Sequence, residues 1–171
     1  MPLIANLPYP PLDCIREDCR ALRIISPAYA GKEGELTAIL QYVYQSILLG
    51  ACGRAREAKL LSEIAAAEMR HLQILGTLIT KLGAPPVFTA CPPCPVSYYS
   101  AACVNYTREL GCMIAADIAS ERTAIAEYSR MLCELKNPAV AAVIERIRED
   151  ERLHLCALEQ LKSELNCGHG C

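Results

Sequence analysis

Tryptophan is absent from this sequence, phenylalanine occurs once and histidine occurs three times. With so few aromatic residues and so much Leu, Ala and Ile, helices packed on helices are favoured over a β-sheet core. The chain has no block of basic residues and a formal net charge of -2, so it lacks the electrostatic footprint of a nucleic-acid binder. Charges interrupt every apolar segment before it could span a bilayer. We therefore expect one all-α domain with neither a nucleic-acid partner nor a membrane partner.

The first twelve residues also lack the marks of an export signal. They are rich in proline and have neither a basic start nor a continuous apolar run. Eleven cysteines would suit a secreted disulfide scaffold, but a chain of 171 residues can bury a core that needs no such bridges. We expect a cytoplasmic protein whose thiols are mostly reduced.

Apolar residues recur at helical spacing in four segments. These run over about 27–49, 54–82, 105–135 and 138–165. Ser26-Pro27, Asn105 and Asn137-Pro138 are typical helix starts, and Gly83 is typical of a helix end. The connections are short, long and short, which predicts two antiparallel hairpins joined by a crossover between helices 2 and 3 over residues 83–104. An arm over 1–26 and a Cys-rich tail over 166–171 flank the predicted bundle over 27–165.

Two of the three histidines lie in a repeated pattern. Glu68-Met69-Arg70-His71 and Glu151-Arg152-Leu153-His154 both read E-x-x-H inside an apolar-periodic segment. Residues three apart share one face of a helix, so each pair can direct a carboxylate and an imidazole to the same point.

Each E-x-x-H pair is preceded by a second glutamate on an apolar stripe. Glu35 and Glu121 are each followed seven residues later by a tyrosine, Tyr42 and Tyr128 respectively. The chain thus contains Glu-x6-Tyr followed by Glu-x-x-His twice. We expect a pseudo-two-fold bundle with a site near its axis.

Buried charges are costly unless they are paired or bound to metal. Four carboxylates balance two divalent cations, and two neutral imidazoles complete the set of ligands. We therefore predict a dinuclear centre with two Fe or two Mn ions. In it Glu68 and Glu151 would bridge the metals, Glu35 and Glu121 would be terminal ligands, and His71 and His154 would bind one metal each.

Four further residues are candidates for supporting roles at this centre. Asp117, one turn before Glu121, could accept the outer ring proton of a ligand histidine, and Asp150 is a weaker candidate for the same role. Tyr42 and Tyr128 could donate hydrogen bonds to the terminal glutamates of the opposite half. The alternatives are a solvated position for Asp117 and plain core packing for the tyrosines.

The motifs resemble those of the ferritin-like carboxylate superfamily over about residues 27–163. The run from Gly34 to Tyr42, GELTAILQY, resembles the first-helix ligand motif of bacterioferritins and rubrerythrins, and Gly31 to Gln45 resembles manganese catalases and their spore-coat relatives. The run from Ala67 to Leu72, AEMRHL, resembles the second-helix motif in all of them. The resemblance implies a ferritin-like antiparallel four-helix bundle that holds a dinuclear non-haem metal centre.

The resemblance leaves three functions open. The first is an oxidoreductase of the rubrerythrin or manganese-catalase kind that acts on peroxide or dioxygen, with an electron-donor protein as a further partner. The second is iron oxidation and storage, and the third is a coat protein with a vestigial site. This chain differs from both patterns. Rubrerythrins have a glutamate near the position of Ala124, and ferritins usually add a fifth helix after the bundle where this chain has the Cys-rich tail. Storage would require a large hollow assembly; otherwise we expect a homo-oligomer, most simply a homodimer.

The cysteines fall into two classes. Cys91 and Cys94 in the crossover, and Cys167 and Cys171 in the tail, could bind metal, pair or stay free. On the helical segments, Cys52, Cys112, Cys133 and Cys156 are expected to be small apolar fillers of the core.

Overall fold

A computed structural model of the chain describes residues 1–90 and 97–167. Within these residues it contains five α-helices, one short 3₁₀ helix and no strand. The helices are α1 (Cys19–Ala30), α2 (Glu35–Ala51), α3 (Ala55–Lys81), α4 (Leu110–Glu134) and α5 (Pro138–Cys167), and the 3₁₀ helix is Ala101–Cys103. No helix among the described residues is long and apolar enough to cross a membrane.

The four long helices form the predicted antiparallel bundle. Helix α2 packs along α3, α4 packs along α5, and α3 meets α5 at the centre. Three residues link the helices of each hairpin, over 52–54 and 135–137, and the long connection over 82–109 joins the hairpins. The sequence prediction of an all-α four-helix bundle with a crossover between the hairpins is confirmed.

The predicted start of the first bundle helix is wrong. Ser26-Pro27 does not open a helix, because both residues lie inside α1. The hydroxyl of Ser26 donates to the carbonyl of Leu22 instead of capping a helix end. A proline inside a helix costs about 3 kcal/mol. Helix α1 tolerates this cost because its inner face, which includes Ile25, is buried in the core.

The four residues between α1 and α2, 31–34, begin and end with a glycine. The amide of Gly31 donates to the carbonyl of Pro27, and the amide of Gly34 donates to the carbonyl of Gly31. A Cβ atom on Gly31 would lie 2.4 Å from the carbonyl oxygen of Pro27, and one on Gly34 would lie 2.6 Å from that of Ala28. Only glycine allows the chain to turn this close to the end of α1. The turn makes Glu35 the first residue of α2.

The predicted start of the third bundle helix is also wrong. Asn105 does not cap α4; its side-chain oxygen accepts from the amide of Thr107, which stabilises a local turn. The cap is Glu109, whose carboxylate accepts from the amides of Gly111 and Cys112. The cap, and with it the helix start, therefore lies four residues later than the sequence pattern indicates.

The other predicted helix ends agree with the structure. Gly83 follows the end of α3 with a φ of +102°, a left-handed conformation that favours glycine. Asn137 accepts hydrogen bonds from the amides of Ala139 and Val140, and Pro138 is the first residue of α5. Both signals are local, which is why they can be recognised in the sequence.

Two apolar clusters fill the bundle on either side of a polar middle. One contains Leu75, Leu78, Ile144 and Ile147, together with the inner face of α1. The other contains residues nearer the opposite end, namely Leu61, Ile64, Met113, Ile114, Leu158 and Leu161. The predicted site residues of α3, α4 and α5 lie between these clusters along the chain. Charged side chains there are almost completely shielded from solvent by the bundle.

The prediction that four helical cysteines fill the core is wrong. Cys52, Cys112, Cys133 and Cys156 are all exposed, and no disulfide occurs among residues 1–90 and 97–167. The core-facing positions of the same helices are taken by larger residues such as Met113, Met131 and Leu158. Cys91, Cys94 and Cys171 lie outside the described residues, and Cys167 is exposed at the end of α5.

The close turn at Gly31 leads to a stability prediction. In Gly31→Ala the new Cβ atom must displace the backbone of α1, so we expect the free energy of unfolding to fall by about 1–3 kcal/mol. Gly50→Ala is the matched control, because its Cβ atom would meet nothing closer than 3.9 Å. We expect the control to be neutral, or stabilised by up to about 1 kcal/mol. Urea unfolding of the metal-free protein measures both, and equal stability of the two variants would contradict this account.

Candidate metal centre

The structure brings all six predicted ligand residues together at the middle of the bundle. None of them is more than 4 % exposed. They come from the four bundle helices: Glu35 from α2, Glu68 and His71 from α3, Glu121 from α4, and Glu151 and His154 from α5. The helical spacing predicted in the sequence places each Glu and His pair on one inward face.

The side chains form two overlapping groups, each able to surround one cation. The first contains Glu35, Glu68, His71 and Glu151, and the second contains Glu68, Glu121, Glu151 and His154. In each group the ligand atoms lie within 4.8 Å of one another. Glu68 and Glu151 belong to both groups, which is the geometry that bridging carboxylates require.

Each histidine directs its Nδ1 atom at three carboxylates. The Nδ1 atom of His71 lies 3.0 Å from Oε2 of Glu68, 3.1 Å from Oε1 of Glu151 and 3.6 Å from Oε2 of Glu35. For each bridging residue, the oxygen that does not approach His71 approaches the other histidine.

The surroundings of His154 are the counterpart of this arrangement. Its Nδ1 atom lies 2.9 Å from Oε1 of Glu68, 3.3 Å from Oε2 of Glu151 and 3.8 Å from Oε2 of Glu121. The imidazole rings are stacked with their centroids 5.8 Å apart. The predicted pseudo-two-fold relation therefore holds for the inner contacts of the site.

These residues fit a pair of divalent metal ions. The Nδ1 atom of His154 and the Oε1 atom of Glu151 are buried and have no hydrogen-bond partner. The Nδ1 atom lies 3.3 Å from Oε2 of Glu151 without forming a hydrogen bond to it. A buried polar atom without a hydrogen-bond partner is costly in a dry interior, whereas a cation would satisfy it. Carboxylate oxygens and imidazole nitrogens are the ligands that Mn and Fe accept.

The pKa values show how the protein residues alone balance this charge. Burial raises the pKa of Glu35 and of Glu121 well above the usual range, and the neighbouring Glu68 raises the pKa of Glu35 further. For Glu68 burial acts in the same direction, but a hydrogen bond from Glu35 and the charge of His154 bring its pKa well below the usual value. Burial and the charge of Glu68 raise the pKa of Glu151, but His71 and His154 outweigh them, so this pKa is also lowered.

The pKa values of both histidines are raised. Burial lowers their pKa values, but Glu151 and Glu35 around His71, and Glu68 around His154, raise both well above the usual value. The raised pKa values favour protons on Glu35, Glu121 and the histidines, and such protons offset part of the charge of the buried carboxylates.

The two tyrosines make the cross-bundle hydrogen bonds predicted from the repeat. Tyr42 of α2 donates to Glu121 of α4, and Tyr128 of α4 donates to Glu35 of α2. Burial, followed by the charge of the accepting glutamate, raises both tyrosine pKa values well above the usual value, so the hydroxyls stay protonated and donate. Each tyrosine orients the terminal glutamate of the other half.

Asp117 does not contact a histidine, so that prediction is wrong. Its Oδ1 atom accepts from the side-chain amides of Gln41 and Gln45, at 2.8 and 2.9 Å. These two glutamines of α2 face Asp117 across the bundle and take the position where an imidazole was expected. Burial raises the pKa of Asp117 to about 6, although both glutamines lower it.

The outer ring nitrogens of the histidines have different partners. Asp150, the weaker candidate, lies 3.0 Å from Nε2 of His71 through its Oδ2 atom. Nε2 of His154 donates to the backbone carbonyl of Leu3 at 2.9 Å. The sequence gives no signal for Leu3, because a backbone carbonyl has no motif and the N-terminal arm shows no periodicity.

A cavity of about 250 Å³ between α2 and α4 leads from the surface to the carboxylates. At its outer end lie the exposed residues Glu33, Thr123 and Glu127. At its inner end lie the four buried glutamates of the site, Glu35, Glu68, Glu121 and Glu151. Neither histidine lines the cavity, so a small molecule entering it meets the carboxylate side of the site.

Comparison with solved structures gives the fold family. The manganese catalase KatB from Anabaena superposes with a TM-score of 0.81 at 20 % identity, covering 97 % of this chain and 81 % of that chain. Bacterioferritin from Desulfovibrio desulfuricans, which has a diiron site, gives a TM-score of 0.73 at 26 % identity, covering 85 % of this chain and 80 % of that one. The chain belongs to the ferritin-like superfamily. Within that superfamily, these two neighbours represent different functions.

Sequence comparison adds one family match to this ferritin-like chain. The family model for manganese containing catalase matches residues 15–88, which include Glu35, Glu68 and His71. A mycobacterial bacterioferritin is similar in structure, with a TM-score of 0.68 at 26 % identity over 90 % of this chain and 91 % of that chain. No curated protein sequence matches the chain.

The protonated state of the cluster leads to a prediction about metal binding. Ligands must be deprotonated to bind a cation, so loading should release up to four protons, two from Glu35 and Glu121 and two from the histidines. Affinity should therefore rise with pH. Titration of Mn²⁺ into weakly buffered protein with an indicator dye measures the release, and Glu68→Ala is the control. Affinity that stays equal between about pH 6 and about pH 8 would contradict this charge balance.

Proposed function

We propose that this protein is a dinuclear manganese or iron oxidoreductase that acts on hydrogen peroxide. The observation that carries the proposal is a buried set of four carboxylates and two imidazoles at the inner end of a cavity open to the surface. A purely structural metal site needs no such entry path. A cavity that ends on the carboxylates suits a small oxidant that must reach the metal pair.

The residues of the chain would have separate roles at such a centre. When bound, two ions that each change oxidation state by one electron supply the two-electron chemistry by which two peroxide molecules become two water molecules and dioxygen. Glu68 and Glu151 would hold both ions, because each carboxylate faces both histidines. Glu35 and Glu121 would supply one further carboxylate to each ion.

The tyrosines and the cavity set the conditions at the centre. Tyr42 and Tyr128 hold the terminal glutamates in place, and both also line the cavity. Alanines at positions 38 and 124 keep the passage between α2 and α4 open. The surrounding apolar clusters exclude bulk water, which strengthens every electrostatic interaction in the site.

The comparisons support the proposal at the level of the fold and the ligand motifs. The manganese catalase model matches the segment that supplies one half of the site, and the second half repeats its pattern. Carboxylate and imidazole ligands suit both manganese and iron, so the proposal includes both metals. We propose the cytoplasm as the location, with a thiol or a small redox protein as the electron donor if peroxide is reduced rather than disproportionated.

The proposal predicts the behaviour of one ligand variant. Metal-loaded protein should consume hydrogen peroxide, and Glu68→Ala should reduce the rate to background because it removes one of the two bridging carboxylates. An oxygen electrode records peroxide disproportionation directly. Repeating the assay with a thiol or rubredoxin donor records peroxide reduction.

A matched variant separates loss of the site from loss of a surface charge. Glu159→Ala removes an exposed glutamate of α5 that pairs with Arg122, and it should keep the full rate. Circular dichroism confirms that both variants are folded. Peroxide turnover by Glu68→Ala at the rate of the unsubstituted protein would refute the proposal.

Iron oxidation and storage is the second candidate function. The similarity to two bacterioferritins at 26 % identity favours it. Storage requires a large hollow assembly that takes up many irons per chain, whereas the proposed peroxide chemistry requires only the homodimer expected from the sequence. Light scattering separates the two, because a dimer excludes a storage cage.

A further inference from the structure

The first nine residues, 1–9, form an N-terminal arm that covers the histidine side of the site. This arm contains neither helix nor strand. It contacts α3 at Glu63 and α5 at Arg146, Asp150 and His154. The cavity reaches the site between α2 and α4, so the arm and the cavity serve different sides of the same cluster.

One end of the arm holds His154. The carbonyl of Leu3 accepts a hydrogen bond from Nε2 of His154 at 2.9 Å. The amide of Leu3 donates to the carbonyl of Glu63 at 3.1 Å, and the N-terminal ammonium lies 3.0 Å from the carboxylate of Glu63. These two contacts with α3 fix the carbonyl that faces the imidazole on α5.

The middle and far end of the arm hold Asp150, which in turn holds His71. The amide of Ala5 donates to Oδ1 of Asp150 at 2.7 Å, and the hydroxyl of Tyr9 donates to Oδ2 at 2.5 Å. The same Oδ2 atom lies 3.0 Å from Nε2 of His71. Ala5 and Arg146 donate to Oδ1 and Tyr9 donates to Oδ2, so both oxygens of Asp150 act as acceptors.

Arg146 connects the arm to Asp150. Its Nε atom donates to the carbonyl of Leu7 at 3.0 Å, and its two terminal nitrogens donate to the carbonyl of Ala5 at 2.8 Å and to Oδ1 of Asp150 at 2.6 Å. The guanidinium also lies over the ring of Tyr9, 4.3 Å from its centroid. A buried arginine and a buried aspartate therefore make the arm an integral layer of the site.

We propose that residues 1–9 form a positioning segment for the metal centre, which sets the tautomer and orientation of both ligand histidines. A backbone carbonyl can only accept, so Leu3 requires the proton of His154 on Nε2 and leaves the lone pair of Nδ1 for a cation. Asp150, fixed by Ala5 and Tyr9, imposes the same tautomer on His71. The inference rests on the proposed metal site but not on the reaction.

The expected effect follows from other sites where a partner orients a ligand histidine. Loss of such a partner lowers metal affinity by about 10–100-fold. If the arm were only a cover, its loss would lower the melting temperature while leaving the affinity of the folded protein and the histidine tautomers unchanged. Affinity and tautomer are therefore the readouts that distinguish positioning from covering.

The test uses Zn²⁺ as a diamagnetic probe in the full-length protein and three variants. One variant lacks residues 2–6 and so loses Leu3 and Ala5, and Tyr9→Phe loses only the hydroxyl on Asp150. Tyr29→Phe is the control, since its hydroxyl donates to the carbonyl of Pro86, away from the site. Competition with a chelator measures affinity, and NMR of ¹⁵N-labelled histidine reports which ring nitrogen carries the proton.

We expect the deletion to weaken Zn²⁺ binding by about 10–100-fold and to lose the fixed Nε2 proton of His154. Tyr9→Phe should weaken binding less and disturb His71 alone, and Tyr29→Phe should match the full-length protein. If the deletion variant does not fold, the Zn²⁺ affinity and the His71 tautomer of Tyr9→Phe test the proposal.

Unchanged affinity and tautomers in the folded variants would overturn the role of the arm. If the unsubstituted protein does not bind Zn²⁺, or if Glu68→Ala still binds it, the metal site itself is refuted. The role of the arm is then refuted with it.

Discussion

Four carboxylates buried at the centre of a helical bundle must be neutralised, and the rest of this structure is arranged around that requirement. Glu35, Glu68, Glu121 and Glu151 lie between two apolar clusters that keep water away. Left ionised and unpaired they would cost far more than the few kcal/mol by which a domain is stable. The histidines, the cross-bundle tyrosines and a pair of cations are the groups that can make this burial favourable.

The inner contacts of the site follow the internal repeat, but the outer contacts do not. Glu68 and Glu151 face both histidines in equivalent ways, and the two tyrosines exchange partners between the halves. Behind the imidazoles the symmetry ends, because His71 meets Asp150 and His154 meets a backbone carbonyl. Ala67 stands in the first half where the second half has Asp150, and Leu3 of the N-terminal arm lies behind His154 instead. A segment outside the repeat thus supports one side of the site.

The sequence predicted what depends on periodicity and local signals. The four bundle helices, the six clustered residues and the tyrosine partners follow from spacing, since a helix places residues three or seven apart on one face. Partners that depend on tertiary packing were not predictable. Asp117 meets Gln41 and Gln45 rather than an imidazole. Likewise, α1 continues through Pro27 because burial of its inner face outweighs the local penalty.

The central claim is that Glu68 and Glu151 would together hold two cations, one on the side of each histidine. Anomalous diffraction from crystals of manganese-loaded protein tests it most directly. The account predicts two peaks per chain, one bounded by Glu35 and His71 and the other by Glu121 and His154, with both bridging carboxylates between them. A single peak, or peaks only outside this cluster, would contradict it.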